Sequence, residues 1–164
     1  DGPLLYAVLP SRFGFVINKE IVGVPLAGFM LRRLGHQFVD RFNRAQSARD
    51  ARRILKAAVG GGSVAFFPEG TFTATRGLAR FHSGAFVTAA RAGMPVIPVV
   101  IRGAREALPS GARLPRRRAL EVEVLEPIVA PLPNEPDPVG RMKLEARARI
   151  LERLGEPDLE IGDR

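Results

Sequence analysis

The sequence contains no cysteine, no tryptophan, one tyrosine and two histidines. Without cysteine there can be no disulfide and no thiolate metal site, and His36 and His82 alone argue against structural zinc. The lack of thiols is compatible with a reducing compartment without establishing one. Long hydrophobic runs are missing too. The longest uncharged apolar stretch, Ile21 to Leu31, is too short to span a bilayer, and Gly84 to Ile101 is interrupted by Arg91 and two prolines. The sequence therefore predicts no transmembrane helix. There is no helix-turn-helix signature and no aromatic motif of the kind that stacks on RNA bases, so nucleic acid is not expected as a partner.

What is present is enough chain for one domain with a real core: 164 residues, expected to form a single domain over 1–164. The net charge is +8 with arginine dominant, which favours anionic partners such as phosphorylated substrates or an acidic membrane surface. The first residue is Asp1, preceded by neither methionine nor a signal-like segment, and the expectation is that a natural N-terminal part is missing.

Along the chain, "GPLLYAVL" after Asp1 predicts a short helix with Pro3 in its first turn. "RFGFVIN" reads as a buried strand, "VPLAGFMLRRLG" as a helix stopped by Gly35, and "HQFVDR" as a short strand. Ser47-Ala-Arg-Asp50 resembles a capping box leading into "ARRILKAAV", which Gly60, Gly61 and Gly62 close. No Gly-Lys-Ser/Thr follows those glycines, so they predict a helix stop rather than a phosphate loop. "SVAFF" and "PVIPVVI" read as buried strands around the helix "GAFVTAARAG". "ALEVEVLE" predicts a half-exposed strand with Leu120, Val122 and Val124 inward, and Asp137-Pro138 starts a terminal helix. Helices alternating with nearly continuous apolar strands predict an α/β layered fold, its central, mostly parallel or mixed sheet covered by helices.

In such folds functional groups gather where strands end. Lys19, Arg41, Glu69 with Thr71, and Arg102 all follow predicted strands. Cations beside a carboxylate suit a phosphorylated, hydroxyl-bearing ligand, since guanidinium binds phosphate through two bonds and glutamate accepts from hydroxyls. By itself, Glu69 in "FFPEGT" is open to a simpler account, because Pro68 and Gly70 make a turn unaided.

Four blocks decide between these accounts. "FPEGT" at Phe67 to Thr71, "GHQFVDR" at Gly35 to Arg41, "GMPVIPVVIRG" at Gly93 to Gly103 and "NKEIVGVPLAG" around Lys19 and Pro25 stand in the order found in one family. The sequence resembles the glycerolipid acyltransferases related to 1-acyl-sn-glycerol-3-phosphate acyltransferase, from Asp1 to about Ile128. The resemblance implies a glycerol-3-phosphate acyltransferase-like fold. It also implies an O-acyltransferase moving a fatty acyl group from acyl-CoA or acyl carrier protein to a lysophospholipid-type hydroxyl, with no metal and no redox cofactor. Asp1 matches the aspartate that ends the family's His-x-x-x-x-Asp block, which places the catalytic histidine upstream of the chain and makes Asp1 its orienting carboxylate. Lys19 and Arg41 are implied to bind substrate, Arg41 holding the acceptor's phosphate. Glu69 is implied to meet the acceptor's headgroup or glycerol region, with Gly70 and Thr71 shaping the turn.

The match has departures. Phe72 stands where the family often has arginine, a loss that Arg76 or Arg80 would offset, and His82 stands where it often has lysine. The substrates implied lie in a bilayer, so an anionic membrane surface is an expected partner. The expected location is the cytoplasmic face, held peripherally through arginines such as Arg113 to Arg118 or Arg32 with Arg33, or tethered by a missing N-terminal segment. The competing reading is a non-catalytic lipid- or membrane-surface-binding module of a larger protein.

Overall fold

The computed structural model describes residues 2–9, 13–18, 37–39, 52–56, 59–60, 62–70, 75–109, 112, 114, 116–129, 132 and 134–160. These fall into two compact units, Pro10–Phe67 and Asp1–Leu9 with Pro68–Arg164.

The unit Pro10–Phe67 is built on a parallel sheet. Strand β1 (Phe13–Asn18) lies between β2 (Gln37–Val39) and β3 (Ser63–Ala65). Val16 pairs with Gln37, and Phe13 with Ser63. Sequential parallel strands need a crossover of a dozen or more residues, and residues 19–36 and 40–62 supply that length. The predicted helix 24–35 and the capping box at 47–50 lie outside the described residues. Residues 52–56 are helical with Ile54 buried, and the Gly60 amide donates to the Lys56 carbonyl at 3.0 Å, the expected glycine-marked stop. The strand predicted over "SVAFF" ends at Ala65, and Ser63 and Phe67 are exposed.

In the second unit, α1 (Gly2–Val8) turns Leu5 inward. Helix α2 (Gly84–Ala92) ends at Gly93, whose φ of 62° lets its amide and that of Met94 donate to Ala90 and Ala89. That pattern satisfies the last carbonyls of the helix. Strand β4 (Val99–Arg102) pairs antiparallel with β5 (Glu121–Val124), and the short α3 (Ala104–Ala107) lies between them in sequence. Helix α4 (Pro138–Leu154) starts where Asp137 Oδ1 accepts from the Gly140 amide at 2.8 Å and Pro138 sits in the first turn. It packs on α2 and β4. Leu78, Phe81, Phe86, Ile128, Met142 and Ala146 form the core, with the Phe81 and Phe86 rings stacked at 6.3 Å. Each large apolar side chain so buried contributes roughly 1.5–3 kcal/mol.

Two strand expectations need correction. "PVIPVVI" is not one buried strand: Val96 makes a separate bridge to Ile128, Ile97 is 53% exposed, and β4 begins only after Pro98. Proline has no amide to donate, so the ladder breaks there, although the Pro98 carbonyl still accepts from Leu125 at 2.9 Å. On β5, Val124 is 53% exposed and Leu120 is exposed, whereas Glu123 is partly covered. The register sets Glu123 opposite Val100, which is buried, and Arg102 partners the carboxylate there, its Nη1 and Nη2 both bonding Glu123 Oε2, at 2.9 and 2.5 Å. The α/β expectation itself holds, with a parallel ladder in one unit and an antiparallel one in the other. Among the described residues no helix is long and apolar enough to cross a membrane.

Candidate functional site

The apolar run "SVAFF" ends in a turn at Pro68 and Glu69, after which Gly70 takes a φ of 76°, a left-handed conformation that suits glycine. Residues 79 and 82 come back to this turn. The His82 amide donates to the Pro68 carbonyl at 2.8 Å, and the Ala79 amide donates to Glu69 Oε2 at 2.9 Å. Glu69 is thus a turn carboxylate and something more: it closes a loop that carries Leu78 of the core, and the Pro68–His82 bond extends the closure past Phe81.

Burial raises the pKa of Glu69 above the ordinary glutamate value, and the nearby Glu156 carboxylate pushes the same way. The Ala79 amide and the guanidinium groups of Arg105 and Arg147 oppose that rise without cancelling it. A half-buried carboxylate so placed can accept from a ligand hydroxyl, and it gains a proton more readily than an exposed one.

The far side of the loop is strapped by the segment after α4. The amides of Leu78 and Leu159 bond Pro157 O and Leu78 O at 2.9 and 3.1 Å, and the Gly77 amide donates to Glu156 Oε2 at 2.9 Å. A side chain at Gly77, where φ is 138°, would lie 2.7 Å from Pro157 O and Leu159 Cγ. Beneath the strap Arg147, 5% exposed, bonds Asp158, donates from Nε to Glu160 at 2.7 Å and from Nη2 to Leu78 O at 3.2 Å, and stands 5.5 Å from the Phe81 ring centre.

Of the residues predicted for the site, Glu69 and Gly70 are placed. Asp1, Lys19, Arg41 and Thr71 lie outside the described residues. Arg102, the remaining strand-end cation, is engaged by Glu123 and, at 3.6 Å, by Glu121. Arg76 pairs with Glu156 at 3.3 Å, and Arg80 reaches Glu160 at 3.8 Å, so both cations considered as replacements at position 72 face carboxylates of the strap. His82 is exposed just ahead of α2. Among the described residues no group of three or more His, Cys, Asp or Glu side chains is placed to hold a metal ion.

Sequence reasoning missed Arg147 and the strap. A signal existed: on α4, Arg147 falls in helical register with Met142, Ala146, Ile150 and Leu154, so a cation sits on the apolar stripe and requires buried partners. The carboxylates of Glu156, Asp158 and Glu160, crowded just after the Gly155 stop, are those partners or their neighbours.

Known proteins resemble this chain in sequence and in fold. The 1-acyl-sn-glycerol-3-phosphate acyltransferase of Haemophilus influenzae is 39% identical over 99 residues, covering 58% of this chain and 40% of that protein. The enzyme of that name from Salmonella typhimurium is 30% identical over 151 residues, or 90% of this chain and 59% of its own. One from Chlamydomonas reinhardtii is 31% identical over 103 residues, 63% of this chain and 31% of its own. The chain therefore spans between about a third and three fifths of the length of these relatives. In three dimensions it resembles the crystal structure of the 1-acyl-sn-glycerophosphate (LPA) acyltransferase from Thermotoga maritima, with a TM-score of 0.75 at 19% identity, over 100% of this chain and 62% of the other. That likeness fixes the α/β fold. The sequence profile of the Acyltransferase family matches residues 1–102, the stretch that holds the strand ends, the Glu69 turn and β4, and on that match the chain belongs to the Acyltransferase family.

Proposed function

We propose that this chain is the acyl-transfer unit of a 1-acylglycerol-3-phosphate O-acyltransferase, using acyl-CoA or acyl carrier protein as donor and a lysophospholipid-type acceptor. The observation that carries the reading is the half-buried Glu69 turn, lying within the family match and within the nine tenths of the chain shared with the Salmonella typhimurium enzyme named for that reaction. In this reading Arg41 and Lys19 bind the anionic acceptor, and Glu69 accepts from its headgroup or glycerol hydroxyls. Gly70 and Thr71 shape the turn.

An alcohol is a weak nucleophile at neutral pH, so a base must take its proton as the oxygen attacks the thioester carbonyl. The tetrahedral centre then expels the thiolate, which receives the proton, leaving an ester and a free thiol. Neither His36 nor His82 stands at the block position of that base. By the His-x-x-x-x-Asp pattern that base is the histidine of the block whose aspartate Asp1 matches, and Asp1 orients the imidazole. No metal or redox group is needed. The partner surface in this reading is an anionic membrane, met peripherally at the cytoplasmic face, and the exposed Arg116, Arg117 and Arg118 support it.

The experiment is a thiol-release assay on the full-length protein carrying this chain, with lysophosphatidate and either acyl-CoA or acyl carrier protein thioester. Diacylated product with stoichiometric thiol supports the assignment. Lipid binding without product from either donor would replace it with the non-catalytic reading.

A further inference from the structure

We infer that Arg147 is a positioning residue for Glu69, acting through the single peptide group that joins Leu78 to Ala79. The inference rests on the proposed role of Glu69 in binding the acceptor.

The carbonyl of that peptide group accepts from Arg147 Nη2 at 3.2 Å, and its amide donates to Glu69 Oε2 at 2.9 Å. A peptide group is planar and conjugated, so its oxygen and its N–H point in opposite directions and polarise together. A cation drawing on the oxygen makes the N–H a better donor, and a carboxylate accepting from the N–H makes the oxygen a better acceptor. Arg147 and Glu69 therefore set the plane of one rigid group from its two edges. If the guanidinium moves, the oxygen keeps only the Leu159 amide, and the plane that aims the Ala79 N–H at the carboxylate is less tightly set.

The surroundings give Arg147 little freedom. Asp158 and Glu160 hold its Nη2 and Nε, Phe81 lies beneath the guanidinium, and the residue is 5% exposed. Nη1 has no hydrogen-bond partner among the described residues. A guanidinium buried at that cost fits a site where direction matters, because its planar fork fixes the donor angles as an ammonium cannot. Leu78 O also accepts from Leu159, so the strap and Arg147 converge on the same oxygen. Residues 69 and 147 are linked by geometry that no local motif encodes.

The test is a double-substitution cycle in the full-length protein. Arg147→Lys retains charge and loses the fork, Glu69→Gln retains shape and loses charge, and the third protein carries both. Each is assayed for kcat and for KM toward lysophosphatidate and toward the thioester. Arg147→Lys should lower kcat/KM for the acceptor about tenfold, as expected for a weakened charged hydrogen bond, with the donor KM moving less than about twofold. In the Glu69→Gln background the same change should cost less than about twofold, since contacting residues couple non-additively. Equal losses in both backgrounds, or a parallel loss for donor and acceptor, would make Arg147 a general fold stabiliser and overturn the inference.

A second readout does not depend on turnover. Amide hydrogen exchange at Ala79 should accelerate about tenfold in Arg147→Lys while the amides of α2 keep their protection, as local opening separates from global unfolding. Unchanged exchange at Ala79 overturns the positioning role even if the protein proves inactive. Accelerated exchange in a protein without transferase activity would sustain the structural link and reject the proposed function.

Discussion

The Glu69 carboxylate accepts from the amide of Ala79, ten residues further along the chain, and closes the loop between them. Burial nevertheless raises its pKa, so the native state holds a proton on Glu69 over a pH range in which the unfolded chain has lost it. The native form then binds more protons than the unfolded form, and stability falls as pH rises through that range. The window opens at the ordinary value of 4.5 and extends up to the raised one. Glu69→Gln removes the titration. Urea unfolding of both proteins from acidic to neutral pH should show the stability of the parent, relative to the variant, declining across that window and level below it. A relative stability that climbs with pH would mean that the Ala79 bond and the two guanidinium groups outweigh burial.

Asp137 and Gly140 make the start of α4 a coupled pair. Asp137 Oδ1 accepts from the Gly140 amide at 2.8 Å, and a Cβ on residue 140 would collide with the same carboxylate. Asp137→Ala alone should cost about 1 kcal/mol, the usual value of a lost cap. Gly140→Ala gains helix propensity of up to about 1 kcal/mol but pushes the cap aside, so alone it should be nearly neutral. With the cap already gone, the same change should stabilise. Denaturant titrations of the four proteins measure the coupling, and strict additivity would refute the account.

How far these features were legible depends on whether their causes are local. Asp137-Pro138 and Gly93 announce the ends of their helices because the cap residue and the backbone it satisfies are neighbours in sequence. The positions of β1 and β2 were legible from apolar runs bounded by charge and glycine. Misreadings came where a distant side chain decides. Glu123 reads as solvent-facing, but its register partner Val100 is buried and Arg102, on the paired strand, gives one of its oxygens two bonds, while Val124 stays outside. In the candidate site, the turn at Glu69 was legible because proline and glycine flank it. Its anchoring was not: Ala79 returns to it across a loop that no short motif marks, and Arg147 and the 156–160 strap come from far along the chain.

Gly77 and Gly93 both have positive φ, yet their surroundings separate them. At Gly93 a Cβ meets nothing within 4 Å, so Gly93→Ala should lose only the left-handed backbone preference, about 1 kcal/mol. At Gly77 φ is 138°, and a Cβ would lie 2.7 Å from the Pro157 carbonyl, which cannot move without breaking its bond to the Leu78 amide. Gly77→Ala should therefore cost clearly more than about 1 kcal/mol and release the strap, exposing residues 156–160 to protease. Equal losses at the two positions, with the strap still protected, would show that the loop absorbs the methyl group without yielding.

Arg116, Arg117 and Arg118 are consecutive and exposed, and the nearby Leu114 is 80% exposed. Each cation near an anionic bilayer gains about 1 kcal/mol, so the three together supply about 3 kcal/mol, a weak and reversible attachment read at high lipid concentration. That attraction is screened as the Debye length contracts to about 3 Å in 1 M salt, whereas burial of a leucine in the bilayer would not be. Co-sedimentation with phosphatidylglycerol vesicles should show binding at low salt, release at high salt, and little binding to phosphatidylcholine alone. Reversing all three charges, Arg116→Glu with Arg117→Glu and Arg118→Glu, should abolish it, while Leu114→Ala should leave most of it. Binding that survives both salt and charge reversal would assign attachment to apolar insertion and remove these arginines from the membrane contact.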